Sequence, residues 1–137
     1  MVVSSKLAVA LHIVTALGYS EGVLVTSDRL AESVKTNPVV IRRILSELAQ
    51  AGIVEARRGK SGGATLARAA SSIRLVEIYR ALEGQASFCS PAKQGDPSCA
   101  VASCMQSLIK ELIQDVDRAI EERLGSYTVA DLVARVK

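Results

Sequence analysis

The segment from residue 37 to residue 52 carries clear signals for the start and the end of a helix. Asn37 is a strong N-cap residue, Pro38 suits the first helical position, and Gly52 suits the left-handed residue after a helix. An apolar stripe at helical spacing predicts the buried face: Ile41, Ile44, Leu45 and Leu48. The opposite face is predicted to point outward, with Val39, Val40, Arg42, Arg43 and Ser46.

A shorter helix is predicted just before this one. Thr26 or Ser27 can cap it, and Leu30, Ala31 and Val34 supply its buried side. Because only Lys35 and Thr36 separate the two helices, they must cross steeply, as in a helix-turn-helix.

The residues after Gly52 have the pattern of a small β-hairpin. Residues 53–56 alternate weakly, residues 59–63 (GKSGG) form a turn, and residues 64–67 return. A helix-turn-helix followed directly by a basic, glycine-rich hairpin predicts a winged helix. The expected fold class is therefore mainly α with a small β-hairpin.

Four more helices complete the prediction. They run from Ser4 or Ser5 to about Gly18, from Ile73 to Glu83, from Ala100 to Leu124, and from a Thr128–Asp131 cap to Val136. The first of them has a predicted apolar face of Leu7, Leu11, Val14 and Leu17. We expect a winged helix-turn-helix DNA-binding domain over residues 1–84, a loop over 85–98, and a dimerisation helix and C-terminal helix over 99–137.

The third of these helices is too long for one small core. A helix of about 25 residues spans about 37 Å, so an apolar stripe along it predicts a homodimer through an antiparallel helix pair. The alternative is that the stripe packs only on its own domain. The residues expected at the dimer interface are Val101, Met105, Leu108, Leu112, Val116 and Ala119.

The basic residues are concentrated where a winged helix meets DNA. Residues 1–68 carry nine Lys and Arg against five Asp and Glu, whereas residues 69–137 carry eight against nine. We expect double-stranded DNA as the partner, although winged helices also serve as protein-interaction modules. The predicted DNA contacts are Thr36, Asn37, Val39, Val40, Arg42 and Arg43 on the helix, and Arg57, Arg58 and Lys60 on the wing.

Other classes of protein are disfavoured. His12 is the lone histidine, and no acid–base pair or phosphate-binding loop is evident, so we expect no enzyme and no catalytic residue. No apolar run approaches the roughly 20 residues of a membrane span. Three cysteines without a secretory signal pattern indicate the cytoplasm.

The cysteines Cys89, Cys99 and Cys104 leave three interpretations open. Three thiolates can hold a [2Fe-2S] cluster with a fourth ligand, for which His12 is a candidate. Inside one helix, Cys99 and Cys104 would point about 140° apart, so a cluster requires the helix to begin after Cys99. The alternatives are a thiol switch at Cys99 and idle thiols, and we expect no cofactor or metal.

Four segments resemble the Rrf-two (Rrf2) family of bacterial transcription regulators: SSKLAVALHI, NPVVIRRILSELAQAGIVEARRGKSGG, LVEIYRALEG and YTVADLV. The resemblance implies a homodimeric winged-helix repressor on a palindromic operator. It implies that Arg42 and Arg43 lie on the recognition helix, and that Arg58 and Lys60 lie on the wing.

The cysteine region departs from the family members that bind a cluster. Nine residues and then four separate the three cysteines, which is off the pattern of those members, and Ser107 stands where the iron–sulphur cluster regulator has a ligating His. The chain is more similar to the branch that carries NPVV at the start of the helix predicted over residues 37–52 and retains no cluster.

Overall fold

A computed structural model describes residues 5–83 and 95–136 of the chain. Helices and one β-hairpin make up this part, as the sequence predicts. The helices are α1 (Ser5–Tyr19), α2 (Ser27–Val34), α3 (Pro38–Gln50), α4 (Leu75–Glu83), α5 (Ala100–Gly125) and α6 (Val129–Val133). The strands are β1 (Val54–Arg57) and β2 (Gly63–Leu66), and a 3₁₀ turn covers Ala70–Ser72.

Helix α1 lies at the centre of the core. It contacts α2, α3, α4, α6 and β2, so neighbours surround it on several sides. Its buried residues therefore form more than one stripe and include Ala10 and Ile13, which the predicted face lacks. Leu11, which we expect on the buried face, is only half-buried.

The helix-turn-helix forms as predicted. The Thr26 side chain accepts a hydrogen bond from the Arg29 N–H, and the Asn37 side chain accepts one from the Val39 N–H. These bonds satisfy amide groups that a helix start leaves without a partner. The four predicted apolar residues of α3 are all buried, and Gly52 has the expected positive φ of 75°.

The wing is tied to the rest of the domain through a residue outside the hairpin. Strands β1 and β2 pair antiparallel, and Ala64 also exchanges two backbone hydrogen bonds with Val25, at 3.0 and 2.8 Å. A Cβ atom at Gly62 would collide with the carbonyl oxygen of Arg57, so the turn requires glycine there. The wing therefore has a defined position against the start of α2.

The C-terminal residues return to the core of the winged helix. The Val129 N–H donates to the Ile73 carbonyl at 2.9 Å, and the Val129 side chain is fully buried. Thr128 and Asp131 form the expected capping box, although α6 ends at Val133 and not at Val136. Packing thus places α6 with the first domain, while the limits of the domains stay a prediction.

Helix α5 contacts this core mainly through its C-terminal part. Ile120 and Leu124 pack against the core, and Arg80 of α4 pairs with Glu121. None of the 26 residues of α5 is fully buried. In the described ranges, no helix is both long and apolar enough to cross a membrane.

Candidate nucleic-acid interface

The outward face of α3 exposes both apolar and basic side chains. Val39 and Val40 are 53% and 39% exposed, although both are large hydrophobic residues. Arg42 and Arg43 follow on the same helix and are exposed as well. Because Ile41 and Ile44 of the same helix are buried in the core, α3 is anchored while these four side chains remain accessible.

The wing adds a second group of cations. Arg57 is the last residue of β1 and pairs in register with Gly63. Arg58 and Lys60 follow in the turn, and all three side chains are exposed. The turn is closed by a hydrogen bond of 3.0 Å from the Gly62 N–H to the Gly59 carbonyl, which holds these residues at the tip.

A groove of about 760 Å³ brings the two groups together. It runs between the start of α2, the outward face of α3 and the wing. Arg42 lines one side, and Arg57, Arg58 and Lys60 line the other. Arg42 of α3 and the three cations of the wing therefore line one concave face, together with Asp28 of α2, whereas Arg43 lies outside it.

The cations predicted to contact DNA have no acidic partner in the part of the chain that the structure describes. This holds for Arg42, Arg43, Arg57, Arg58 and Lys60. Elsewhere the surface contains paired cations: Arg68 binds Glu77 at 2.7 Å, and Arg80 binds Glu121 at 3.2 Å. An unpaired guanidinium or ammonium group is free to replace the counterions of a phosphate backbone.

Five predicted contacts are not part of the lining of this groove: Thr36, Asn37, Val39, Val40 and Arg43. Thr36 and Asn37 line a neighbouring groove beside α2, together with Asp28, Glu32 and Lys35. The Asn37 side-chain oxygen Oδ1 already accepts a hydrogen bond from the Val39 N–H at 2.9 Å, so this side chain acts first as a helix cap. The predicted set is thus divided between adjacent surfaces.

Sequence reasoning left some groove residues unassigned. Thr26, Ser27 and Ser46 also line the groove of Arg42. Ser46 follows Arg42 by four residues and therefore lies on the same helix face, which is a signal that the sequence does contain. Thr26 and Ser27 reach the groove only because α2 packs beside the wing.

Two of the three cysteines lie within the described residues. Cys99 is the N-cap of α5 and Cys104 lies within that helix; both are free and exposed. The helix thus begins after Cys99, as a cluster would require, but Cys89 lies outside the described residues. Within the described ranges, no three His, Cys, Asp or Glu side chains are grouped as metal ligands. His12 hydrogen bonds Ser33 across α1 and α2 at 2.8 Å.

Cys99 is expected to be the more reactive of the two described thiols. The backbone N–H groups of Ala102 and Val101 lower the pKa of the Cys99 thiol, because they stabilise the thiolate. A lowered pKa means that alkylation reaches its half-maximal rate at a lower pH. We expect iodoacetamide at pH 7 to modify Cys99 faster than Cys104, as measured by peptide mass spectrometry over time. Equal rates at both cysteines would contradict the stabilised thiolate.

Comparison with known proteins identifies the family. The model of the Rrf2 family, described as an iron-dependent transcriptional regulator, matches residues 3–135. The chain belongs to the Rrf2 family. This match confirms the resemblance seen in the sequence and agrees with a winged helix followed by a long C-terminal helix.

Individual Rrf2-like proteins give the same result. YwnA of Bacillus subtilis (strain 168), named as a candidate HTH-type transcriptional regulator, is 36% identical over 131 residues, which are 96% of each chain. A solved structure of a candidate DNA-binding protein is 36% identical with a TM-score of 0.71, covering 93% of this chain and 98% of that one. The structure of CymR, the global cysteine regulator of B. subtilis, is 25% identical with a TM-score of 0.71 over 98% of both chains.

These findings establish the general function. The protein is a DNA-binding transcription regulator of the Rrf2 family. The groove between α3 and the wing is the surface of the described residues that best fits this function, because it combines unpaired cations of α3 and of the wing.

Proposed function

We propose that this Rrf2 regulator is a homodimeric repressor that binds a palindromic operator in the bacterial cytoplasm. The observation that carries the proposal is the groove in which Arg42 of α3 faces Arg57, Arg58 and Lys60 of the wing. A concave surface with this charge can accommodate one sugar–phosphate backbone of DNA, which separates the major groove from the minor groove. The proposal assigns no catalytic residue.

Helix α3 is the element that enters the major groove in this proposal. Arg42 and Arg43 reach base edges there, since a guanidinium group can donate two hydrogen bonds to guanine. Val39 and Val40 are exposed at the leading end and can contact thymine methyl groups. Thr36 and Asn37 lie before them and contact the adjoining backbone.

The wing holds the protein to the same duplex. Arg57, Arg58 and Lys60 bind phosphates or the adjacent minor groove, where positive side chains lower the free energy of binding without reading sequence. The two Val25–Ala64 hydrogen bonds support this role because they hold the wing in a defined position relative to α2.

In this proposal, helix α5 forms the contact between the two subunits. Four large apolar residues on one side of it are exposed, and a second copy of the helix would cover them. Ala119 and the half-buried Val116 extend this stripe. The exposed four are Val101, Met105, Leu108 and Leu112, at 67%, 39%, 49% and 63%. A two-fold dimer presents two α3 helices, which accounts for a palindromic site.

A salt titration tests the proposal. A labelled fragment from upstream of the protein's own gene is titrated by fluorescence anisotropy over about 50 to 300 mM KCl. We expect log K to fall linearly with log salt, with a slope of about −4 to −9 for a dimer that uses several cations per subunit. No binding at the lowest salt would instead support a winged helix that binds protein.

A further inference from the structure

The N-terminal helix is joined to the recognition helix by an ion pair. Lys6 of α1 approaches Glu47 of α3, with Nζ 2.7 Å from Oε2 and 2.9 Å from Oε1. The two side chains are 37% and 31% exposed, so water screens this pair less than it screens the more exposed pairs on the surface. The ammonium group therefore donates a hydrogen bond to Oε1 and lies within ion-pair distance of Oε2, which is buried without a hydrogen-bond partner in the described residues.

Glu47 has a second candidate partner on its own helix. Arg43 precedes it by four residues, and side chains at this spacing are neighbours, with Cβ atoms about 5–6 Å apart. Glu47 is the acidic residue of α3, whose other side chains are apolar, polar or basic. Arg43 has no carboxylate partner among the described residues, although Glu47 lies one turn away.

The two possible pairs of Glu47 have opposite effects on DNA binding. A carboxylate that pairs with Arg43 would compete with phosphate or guanine for the same guanidinium, and would place a negative charge near the duplex. A carboxylate that pairs with Lys6 is directed toward α1 and leaves Arg43 free. The contacts in the structure correspond to the second arrangement.

We propose that Lys6 is a positioning residue for DNA binding, which holds Glu47 and so keeps Arg43 available to the duplex. This inference rests on the proposed role of Arg43 in binding DNA. It adds a residue outside the helix-turn-helix and the wing to the determinants of affinity. The position of α1 then influences how strongly α3 binds DNA.

The test is a mutant cycle in the full-length protein, read by anisotropy with the same upstream fragment. We expect Lys6→Met to weaken binding about two- to fivefold, because Glu47 is released to Arg43. The DNA affinity of the double variant Lys6→Met with Glu47→Gln should return to within about twofold of the wild-type value, since no carboxylate remains to pair with Arg43. Lys6→Arg should bind like the wild type, because it keeps the charge.

Two further measurements separate this role from others. If Lys6 itself bound a phosphate, Lys6→Met would reduce the salt slope by about 1 and Glu47→Gln would not restore affinity, which would overturn the inference. Thermal melting and a stoichiometric titration measure the folded and active fraction of each variant, so that lost affinity is compared at equal active protein.

The outcome with Arg43→Ala distinguishes the inference from the function on which it rests. If Arg43→Ala leaves affinity unchanged, the proposed DNA contact of Arg43 is wrong. If Arg43→Ala weakens binding but Lys6→Met does not, or the double variant fails to recover, the role of Lys6 is wrong while the contact of Arg43 stands.

Discussion

Replacement of both Arg42 and Arg43 by alanine is expected to lower operator affinity at least about 30-fold. Each arginine that reads a base edge contributes about 1–3 kcal/mol, and both are exposed on α3 without an acidic partner in the described ranges. The measurement is an anisotropy titration at fixed salt with the operator and with a scrambled duplex. We expect the operator to lose more affinity than the scrambled duplex, because base contacts carry the sequence preference.

A control must remove the same charge from another surface. Arg118→Ala with Arg135→Ala removes two exposed cations, one on α5 and one after α6, outside the groove of α3 and the wing. The operator affinity of this control should stay within about threefold of the wild-type value, since the control changes only the electrostatic field of charges far from the DNA. An equal loss of affinity in both double variants would show that net charge, and not the face of α3, determines binding.

Replacement of Leu108 and Leu112 by aspartate is expected to convert the protein to a monomer. Both leucines are exposed on α5, and a carboxylate inside a helix pair would lose its water without gaining a partner. Light scattering after gel filtration should give about 14.5 kDa, the mass of one chain, and not twice that value. Operator affinity should fall at least about 100-fold, because a half-site must then bind alone.

The same helix offers a matched control for this variant. Gln106 and Gln114 are exposed on α5 and lie on the side opposite the stripe at about 100° per residue. Aspartate at these two positions adds the same charge and should leave both the mass and the affinity unchanged. A Leu108 and Leu112 variant that still has the mass of two chains would place the subunit contact elsewhere.

The helix-turn-helix could be predicted closely because its signals are local. Asn37, Pro38 and Gly52 act through hydrogen bonds and backbone angles within a few residues of themselves. The apolar stripe of α3 was also predicted in full, since one helix face meets the core. In the same way the capping pair Thr128 and Asp131 located the start of α6.

The errors lie where one element meets another. The predicted start of α4 at Ile73 was wrong, because Ile73 is extended and binds Val129 through its carbonyl, so that the helix begins at Leu75. The prediction contained no partner for Val25, since a single paired residue leaves no periodic pattern. The separation of Thr36 and Asn37 from the groove of Arg42 likewise depends on how α2 packs.

The sequence by itself determined which residues form α3, the wing hairpin and the apolar side of α5, because caps, glycines and periodicity act over short distances. Only the tertiary structure decided that Arg42 faces Arg58 and Lys60 across one groove, and that Lys6 binds Glu47. These relations depend on the angles at which separate helices and strands pack. Such angles result from the fit of the whole core, to which residues far apart in the chain contribute together.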